Sequence, residues 1–180
     1  SRNRPKLWSC PAGRRNATVL NTACAVAAYK LVEWMAPHDG MVYLRTMRSD
    51  LPLVYGADEA FPVPGANVLA RVKDLVIAAT GHMVHTARAM LPKLREAGIV
   101  AGLVDCYTFP IAADVVLAEA REAGGRVVTI EDNYRALGSA VAEAAALGGD
   151  VRVRALAVEK HAKSAQTADE VFAYVGLSFE

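Results

Sequence analysis

Hydrophobic and polar residues fall into regular patterns from residue 17 onward. The segment TACAVAAYKLVEWM (22–35) has apolar residues at helical spacing and predicts a helix of about four turns, with Thr22 as its N-cap. After a short polar turn, MVYLRT (41–46) is rich in β-branched and aromatic residues, which is typical of a strand. A helix followed by a strand is therefore predicted ahead of the rest of the chain.

The segment SDLPLVYGADEAFPVPGAN (49–67) contains three prolines and two glycines, a composition typical of irregular chain. We interpret it as the connection between two units, with the linker itself at residues 57–69. Residues 1–16 form a basic irregular tail, 17–56 the first unit and 70–180 the second.

The second unit alternates strand-like and helix-like segments. Its near-continuous apolar strands, such as LVIAA (75–79), are typical of strands buried on both faces. This order predicts an α/β fold, a three-layer sandwich whose mostly parallel twisted sheet has helices on both sides, joined by right-handed crossovers. The predicted strands are 73–81, 99–108, 126–133 and 151–158, and the predicted helices are 82–98, 111–125, 136–149 and 167–177.

Composition supports a soluble globular protein. The 180 residues are 53% hydrophobic, and no apolar run approaches the ~20 residues that a membrane helix needs. No signal peptide is evident, and Cys10, Cys24 and Cys106 form no C-x-x-C pair, so we expect a reducing cytoplasm. Cys106 ends an apolar run, so we expect it to pack as a small hydrophobic residue and not to act as a nucleophile.

Charge is unevenly distributed along the chain. The formal net charge is +1, but residues 1–16 hold five basic residues and no acidic one. Such a tail could contact nucleic acid or acidic lipid. It also contains Pro5, Pro11 and Gly13 and has no helical or strand period, which favours an irregular terminus. We therefore predict neither a nucleic-acid partner nor a membrane partner.

Ligands of parallel α/β sheets gather at the carboxyl ends of strands. The loop ATGHMVH (79–85) has one glycine but neither dinucleotide nor P-loop spacing, so nucleotide binding is weakly supported. His82 and His85 could share a metal, although no carboxylate or thiolate lies nearby in sequence. The simpler interpretation, which we favour, is a solvated pair in the first helical turn.

Three carboxylates also lie at predicted strand ends. Asp105 lies near the end of one strand, and Glu131 and Asp132 lie near the end of another. A desolvated pair of carboxylates could perform acid–base chemistry. Alternatively, the acids cap the following helices or meet a neighbouring subunit, which we favour. No Ser-His-Asp or Cys-His arrangement can be inferred from spacing.

Two arginines lie at the end of the predicted strand MVYLRT (41–46). Arg45 still belongs to the ladder and is interpreted as a surface charge, whereas Arg48 lies past the strand end, where ligands gather. The planar guanidinium suits a phosphate or carboxylate. Arg48 either binds an anion or forms an ion pair with Asp50 or Asp58.

Three longer stretches resemble the C-terminal part of transketolases: MVYLRTMRSDLPLVYG (41–56), the run from VKDLVIAATG to DCYTFP (72–110), and GGRVVTIEDNYRALGSAVAEA (124–144). The resemblance covers about residues 17–178, from the end of the pyrimidine-binding domain through the C-terminal domain. Two families share this layout, 1-deoxyxylulose-5-phosphate synthases and the β subunits of 2-oxo-acid dehydrogenases. The motif R-T-M-R-S-D-x-P is most similar to transketolases.

The resemblance implies a thiamine-diphosphate-dependent transferase of the pentose phosphate pathway, which moves a two-carbon ketol unit between sugar phosphates. It implies that Arg48 binds the substrate phosphate. Thiamine diphosphate and its divalent metal would be held upstream, so no catalytic, cofactor or metal residue is assigned here. The implied partners are the missing N-terminal domains or subunit, a sugar phosphate and further copies in a homo-oligomer, a dimer in the family.

Some positions depart from the family pattern. Val72 replaces a usual glycine, EDNYRALGS (131–139) is shorter and lacks a glycine pair, and Lys163 and Ser164 precede an alanine where the family has glycine. No anion nest is therefore expected at the loop that follows the third strand. The chain could be a fragment, one subunit of a split enzyme, or a non-catalytic dimerisation or regulatory module.

Overall fold

The computed structural model describes residues 17–48, 50–71, 73–160 and 167–177. The predictions for residues 1–16 (including Cys10), Val72, Lys163 and Ser164 lie outside the described residues. The elements in chain order are β1 Ala17–Asn21, α1 Ala25–Met35, β2 Met41–Arg45, β3 Asn67–Ala70, β4 Leu75–Ala79, α2 Met83–Glu96, β5 Ala101–Asp105, β6 Thr108–Phe109, α3 Ala113–Glu122, β7 Arg126–Ile130, α4 Ala136–Gly148, β8 Arg152–Leu156 and α5 Ala168–Val175.

Among the described residues, the main sheet has five strands in the order β3-β5-β4-β7-β8. Strands β4, β5, β7 and β8 run parallel, and β3 pairs antiparallel with β5 at one edge. Ala79 at the end of β4 lies opposite Asp105 on one side and Ile130 on the other, so the loops after these strands meet at one edge. The predicted α/β fold with a mostly parallel sheet is confirmed.

Helices cover both faces of the main sheet. On one face, Val76 and Val104 pack with Val116 of α3 and Val141 of α4. Burying such a side chain stabilises the fold by roughly 1.5–3 kcal/mol. On the other face α2 and α5 pack against alternate residues of the same strands, with Ile77, Leu103, Met83, Val84 and Val175 among the buried side chains.

The described part of the chain also forms a second sheet of three strands in the order β2-β1-β6. The strand β1 (Ala17–Asn21) is not among the predicted elements, yet it pairs parallel with β2 along its full length. The predicted helix is present as α1, but Thr22 is not its N-cap. The N–H of Thr22 donates to the carbonyl of Arg45 at 3.2 Å, so this residue continues the ladder. Cys24, with extended backbone, holds the N-cap position.

The segment between β2 and β3 has no helix or strand in its described part, residues 46–48 and 50–66. It ends earlier than predicted, because Asn67–Ala70 forms the short edge strand β3. Two of its aromatic side chains anchor it: Tyr55 meets Phe61 edge-on at 4.8 Å between ring centroids, and Phe61 meets Tyr107 at 5.2 Å. Offset and edge-on aromatic pairs add stability beyond area burial.

Helix length and polarity also bear on membrane insertion. Within the part of the chain that the structure describes, no helix combines the length and the apolar composition that spanning a bilayer requires.

Candidate functional site

The carboxyl end of β2 carries the residue singled out from the sequence. Arg48 lies three residues past the end of the strand, and its side chain is exposed. The loop that carries it borders a cavity of about 150 Å³ at the start of α1. The cavity is lined by Thr22, Ala23, Cys24, Thr46, Met47 and Asp50, among others.

The guanidinium of Arg48 has no hydrogen bond or ion pair to any other residue that the structure describes. The structure therefore does not contain the alternative ion pair of Arg48 with Asp50 or Asp58. Arginine presents a rigid fork of donors that fits a phosphate or carboxylate bidentately. An exposed arginine at the carboxyl end of a parallel strand is well placed to bind such an anion.

Arg45 has a different environment from Arg48. It belongs to the strand β2, as predicted, but its interpretation as a surface charge is wrong. Its two terminal nitrogens donate to the two carboxylate oxygens of Asp132, both at 2.7 Å, and one also reaches Asn133 at 3.4 Å. The side chains of Arg45 and Asp132 are only 22% and 8% exposed. This bidentate pair joins the small sheet to the loop after β7.

Burial opposes the positive charge of Arg45, but hydrogen bonding and attraction from Asp132 outweigh it. The pKa of the guanidinium is therefore raised above its ordinary value. The backbone of Arg45 is also held, since its carbonyl accepts the N–H of Thr22 at 3.2 Å and the hydroxyl of Thr22 at 3.4 Å. The start of the loop that carries Arg48 is thus fixed on two sides.

Glu131, at the end of β7, caps the helix that follows it. Its carboxylate accepts the backbone N–H groups of Leu137 at 3.0 Å and Gly138 at 2.8 Å. The predicted capping role is confirmed for this residue. Burial raises the pKa of Glu131, while the bonds from the helix N-terminus act in the opposite direction. The chain's own carboxylate therefore occupies the anion position at the start of α4.

Asp105, at the end of β5, is fully buried and accepts a hydrogen bond from the hydroxyl of Tyr55 at 2.6 Å. The expectation that it caps a helix is wrong, because its partner is a tyrosine from the β2–β3 connection. Burial raises the pKa of Asp105 to about 7, and the Tyr55 hydrogen bond lowers it. Asp105 and Glu131 each have their own partners.

The histidine pair at the start of α2 is packed, so the expectation that it is solvated is wrong. His82 stacks on Phe172 with ring centroids 5.0 Å apart, and Nε2 of His85 lies 2.6 Å from the carbonyl of Ala23. Both side chains are half-buried. The described residues include no cluster of three or more metal-ligating side chains.

Cys106 packs in the core as expected, with 1% of its surface exposed. Burial raises the pKa of its thiol well above the ordinary value, so the reactive thiolate is disfavoured. Cys24 is also a buried free cysteine. Neither thiol is a candidate nucleophile.

Two polar pairs were missed from the sequence, Arg45 with Asp132 and Tyr55 with Asp105. The members are 87 and 50 residues apart. A partial signal was present: Arg45 and Asp132 both lie at carboxyl ends of strands. Nothing in local spacing indicates that two such ends meet.

Residues 65–180 match the family described as "Transketolase, C-terminal domain". The chain is 32% identical over 158 residues to the transketolase of Mus musculus. This alignment covers 85% of this chain and 25% of that protein. It is 30% identical over 159 residues to transketolase-like protein 2 of Mus musculus, and this alignment covers 86% of this chain and 25% of that protein. It thus spans about a quarter of the length of these curated relatives.

Among solved structures, one described as "Split gene transketolase, inactive beta4 tetramer" superposes with a TM-score of 0.84. Its sequence is 30% identical, and the superposition covers 93% of this chain and 55% of that chain.

Proposed function

The chain belongs to the family of transketolase C-terminal domains, and from that membership we propose that it is the C-terminal portion of a transketolase-type transferase. In the complete assembly, the enzyme would use thiamine diphosphate and a divalent metal to move a two-carbon ketol unit from a ketose phosphate to an aldose phosphate. This chain would supply a scaffold for the oligomer and the arginine that binds the substrate phosphate.

The observation that carries this proposal is the environment of Arg48. Its side chain is exposed past the end of β2 and has no partner among the described residues. It also occupies the second arginine of the R-x-x-R pattern on which the resemblance to transketolases rests. The loop position, the exposure and the sequence pattern all favour a phosphate contact at this residue.

We further propose that a second polypeptide, or a preceding part of the same one, holds the cofactor and the metal. The chain spans about a quarter of its curated relatives, which leaves room for those domains elsewhere. The similarity to a solved protein described as a split gene transketolase supports a division between two polypeptides. We propose residues 17–56 as the end of the pyrimidine-binding domain and 70–180 as the C-terminal domain.

The small sheet offers a surface for that partner. Among the described strands, β2 lies at the edge of the sheet, so one side of its backbone has no strand beside it. Large apolar side chains are exposed on β2 and on α1: Met41 is 52%, Tyr43 48% and Tyr29 64% exposed. A neighbouring strand and an apolar face from the N-terminal half would cover both.

Reconstitution tests the proposal. The chain is mixed or co-expressed with the N-terminal half of a transketolase, and ketol transfer is followed with thiamine diphosphate, Mg²⁺, a ketose phosphate and an aldose phosphate. We expect a stable complex whose activity requires both polypeptides. A stable complex that transfers no ketol unit would contradict the catalytic proposal. Self-association without affinity for the N-terminal half would instead indicate a non-catalytic oligomerisation module.

A further inference from the structure

The bidentate pair Arg45–Asp132 lies between the proposed substrate loop and the C-terminal domain. Each terminal nitrogen of Arg45 faces one carboxylate oxygen of Asp132 at 2.7 Å, and both side chains are largely removed from solvent. Charge-assisted bidentate contacts of this kind are among the stronger and more directional hydrogen bonds in proteins. The pair therefore constrains orientation as well as distance.

The acidic member of the pair is itself anchored. Asp132 follows Glu131, whose carboxylate is bound to the N-terminus of α4 and whose N–H donates to the carbonyl of Leu156 in β8 at 3.1 Å. The next residue, Asn133, accepts the N–H of Val158 through its carbonyl at 3.0 Å. Asp132 is thus held between a helix and an edge strand of the main sheet.

The basic member fixes the start of the loop that carries Arg48. The side chain of Arg45 is bound by Asp132, and its carbonyl is bound by Thr22. Only two residues separate Arg45 from Arg48. Any rotation of the backbone at the end of β2 would therefore displace Arg48 and would also break this pair.

We propose that Arg45 and Asp132 are positioning residues for the substrate phosphate, through which the C-terminal domain sets the orientation of Arg48. This inference rests on the proposed function and adds to it. The C-terminal domain then acts on substrate recognition through a contact made by its own loop after β7. The proposed role of Arg45 and Asp132 requires no contact with the substrate, because it acts through the two hydrogen bonds between their side chains.

Kinetics of the complete assembly test the proposal through Asp132→Asn and Arg45→Lys, which keep side-chain size but lose the bidentate contact. We expect KM for a phosphorylated acceptor to rise about tenfold, equivalent to 1.4 kcal/mol, while kcat and the KM of an unphosphorylated acceptor change little. Asp132→Glu keeps the carboxylate and should restore most of the loss. Equal effects on both acceptors would overturn the positioning role.

A double-mutant cycle separates positioning from a local structural effect. In an Arg48→Ala background there is no guanidinium left to orient, so Asp132→Asn should add little to KM for the phosphorylated acceptor. Fully additive effects would contradict the proposal. Asp150→Asn is the matched control, because Asp150 also binds an arginine, Arg121, through two contacts of 2.6 and 3.4 Å, but on an exposed surface.

Hydrogen exchange in the full chain keeps this inference distinct from the proposed function. If the assembly transfers no ketol unit, the proposed function fails, but the effect of Asp132 on the loop can still be measured. We expect Asp132→Asn to speed exchange of the Thr22 amide, which donates to the carbonyl of Arg45, while amides of β4 and β5 stay protected, and Asp150→Asn to leave the Thr22 amide unchanged. Unaltered exchange of the Thr22 amide in Asp132→Asn would overturn the inference.

Discussion

The strand ends of the two sheets differ in what occupies them. In the main sheet, the carboxylates at the ends of β5 and β7 have partners within the chain: one oxygen of Asp105 accepts the hydroxyl of Tyr55, and Glu131 binds the N-terminus of α4. In the small sheet, the loop after β2 leaves Arg48 exposed, and other residues of this loop border a cavity of about 150 Å³. Both groups of loops follow the carboxyl ends of strands. In the main sheet other residues of the chain bind the carboxylates there, whereas no described residue binds Arg48.

The comparison shows that the carboxyl end of a strand is a permissive position and not a site by itself. A helix N-terminus that binds an internal carboxylate, as α4 binds Glu131, has no free donors for an external anion. An exposed guanidinium without an internal acid does have free donors. The main-sheet ends should therefore contribute to stability, and the β2 end to binding.

The largest stability effect should come from Glu131→Ala. Two buried N–H groups, those of Leu137 and Gly138, lose their acceptor, so we expect the free energy of unfolding to fall by about 3 kcal/mol. Urea denaturation measures it. Glu143→Ala is the control, because Glu143 is an exposed residue of the same helix. A smaller loss of unfolding free energy than in Glu143→Ala would show that Glu131 does not cap α4 as described.

Tyr55→Phe should have the next largest effect. It removes the hydroxyl that donates to buried Asp105, and we expect a loss of about 2 kcal/mol in the free energy of unfolding. Tyr29→Phe serves as the control, since Tyr29 is 64% exposed. Equal stability of the two variants in denaturant would argue against the Tyr55–Asp105 contact.

A smaller effect should appear as a pH dependence through Asp105. The pKa of Asp105 is raised from 3.8 to about 7 by burial. The folded state then binds more protons than the unfolded state between these values, so this carboxyl's contribution to stability falls as pH rises from about 4 to about 7.

Asp105→Asn removes that titration. The free energy of unfolding of this variant, minus that of the unmodified chain, should be larger at pH 8 than at pH 5, by an amount on the order of 1 kcal/mol. Denaturation curves at the two pH values measure the difference. A relative stability that is the same at both would show that Asp105 titrates normally.

The smallest stability effect should come from Arg48→Ala. Because this side chain is exposed and has no partner in the described part of the chain, we expect a change within about 0.5 kcal/mol. Arg45→Ala, in contrast, leaves Asp132 without its bidentate partner and should be clearly destabilising. If the two variants were equally destabilised in urea, the distinction between the two arginines would not hold.

Local patterns were enough to predict most elements of the fold. The main-sheet strands β4, β5, β7 and β8 and the helices around them have clear apolar periods, and all are present. Elements without such a period were missed: β1 directly precedes a helix, β3 has four residues, and β6 has two. Their pairing depends on partners distant in sequence, which periodicity cannot indicate.

For the candidate site, position along a strand distinguished Arg48 from Arg45, and the exposure of Arg48 agrees with its place past the strand end. The role of Arg45 could not be read in the same way, because Asp132 lies 87 residues away. His82, the N-cap residue of α2, shows the same limit, since Phe172, which stacks on it, belongs to α5. Polar contacts between residues distant in sequence could be identified only from the structure.

The specificity of Arg48→Ala in the complete assembly is the most direct test of the proposed phosphate site. KM is measured for a phosphorylated and an unphosphorylated acceptor, with Arg152→Ala, an exposed arginine of β8, as the control. Loss of a charge-assisted contact should raise KM about tenfold or more for the phosphorylated acceptor alone. An equal rise for both acceptors, or no rise for either, would contradict phosphate binding by Arg48.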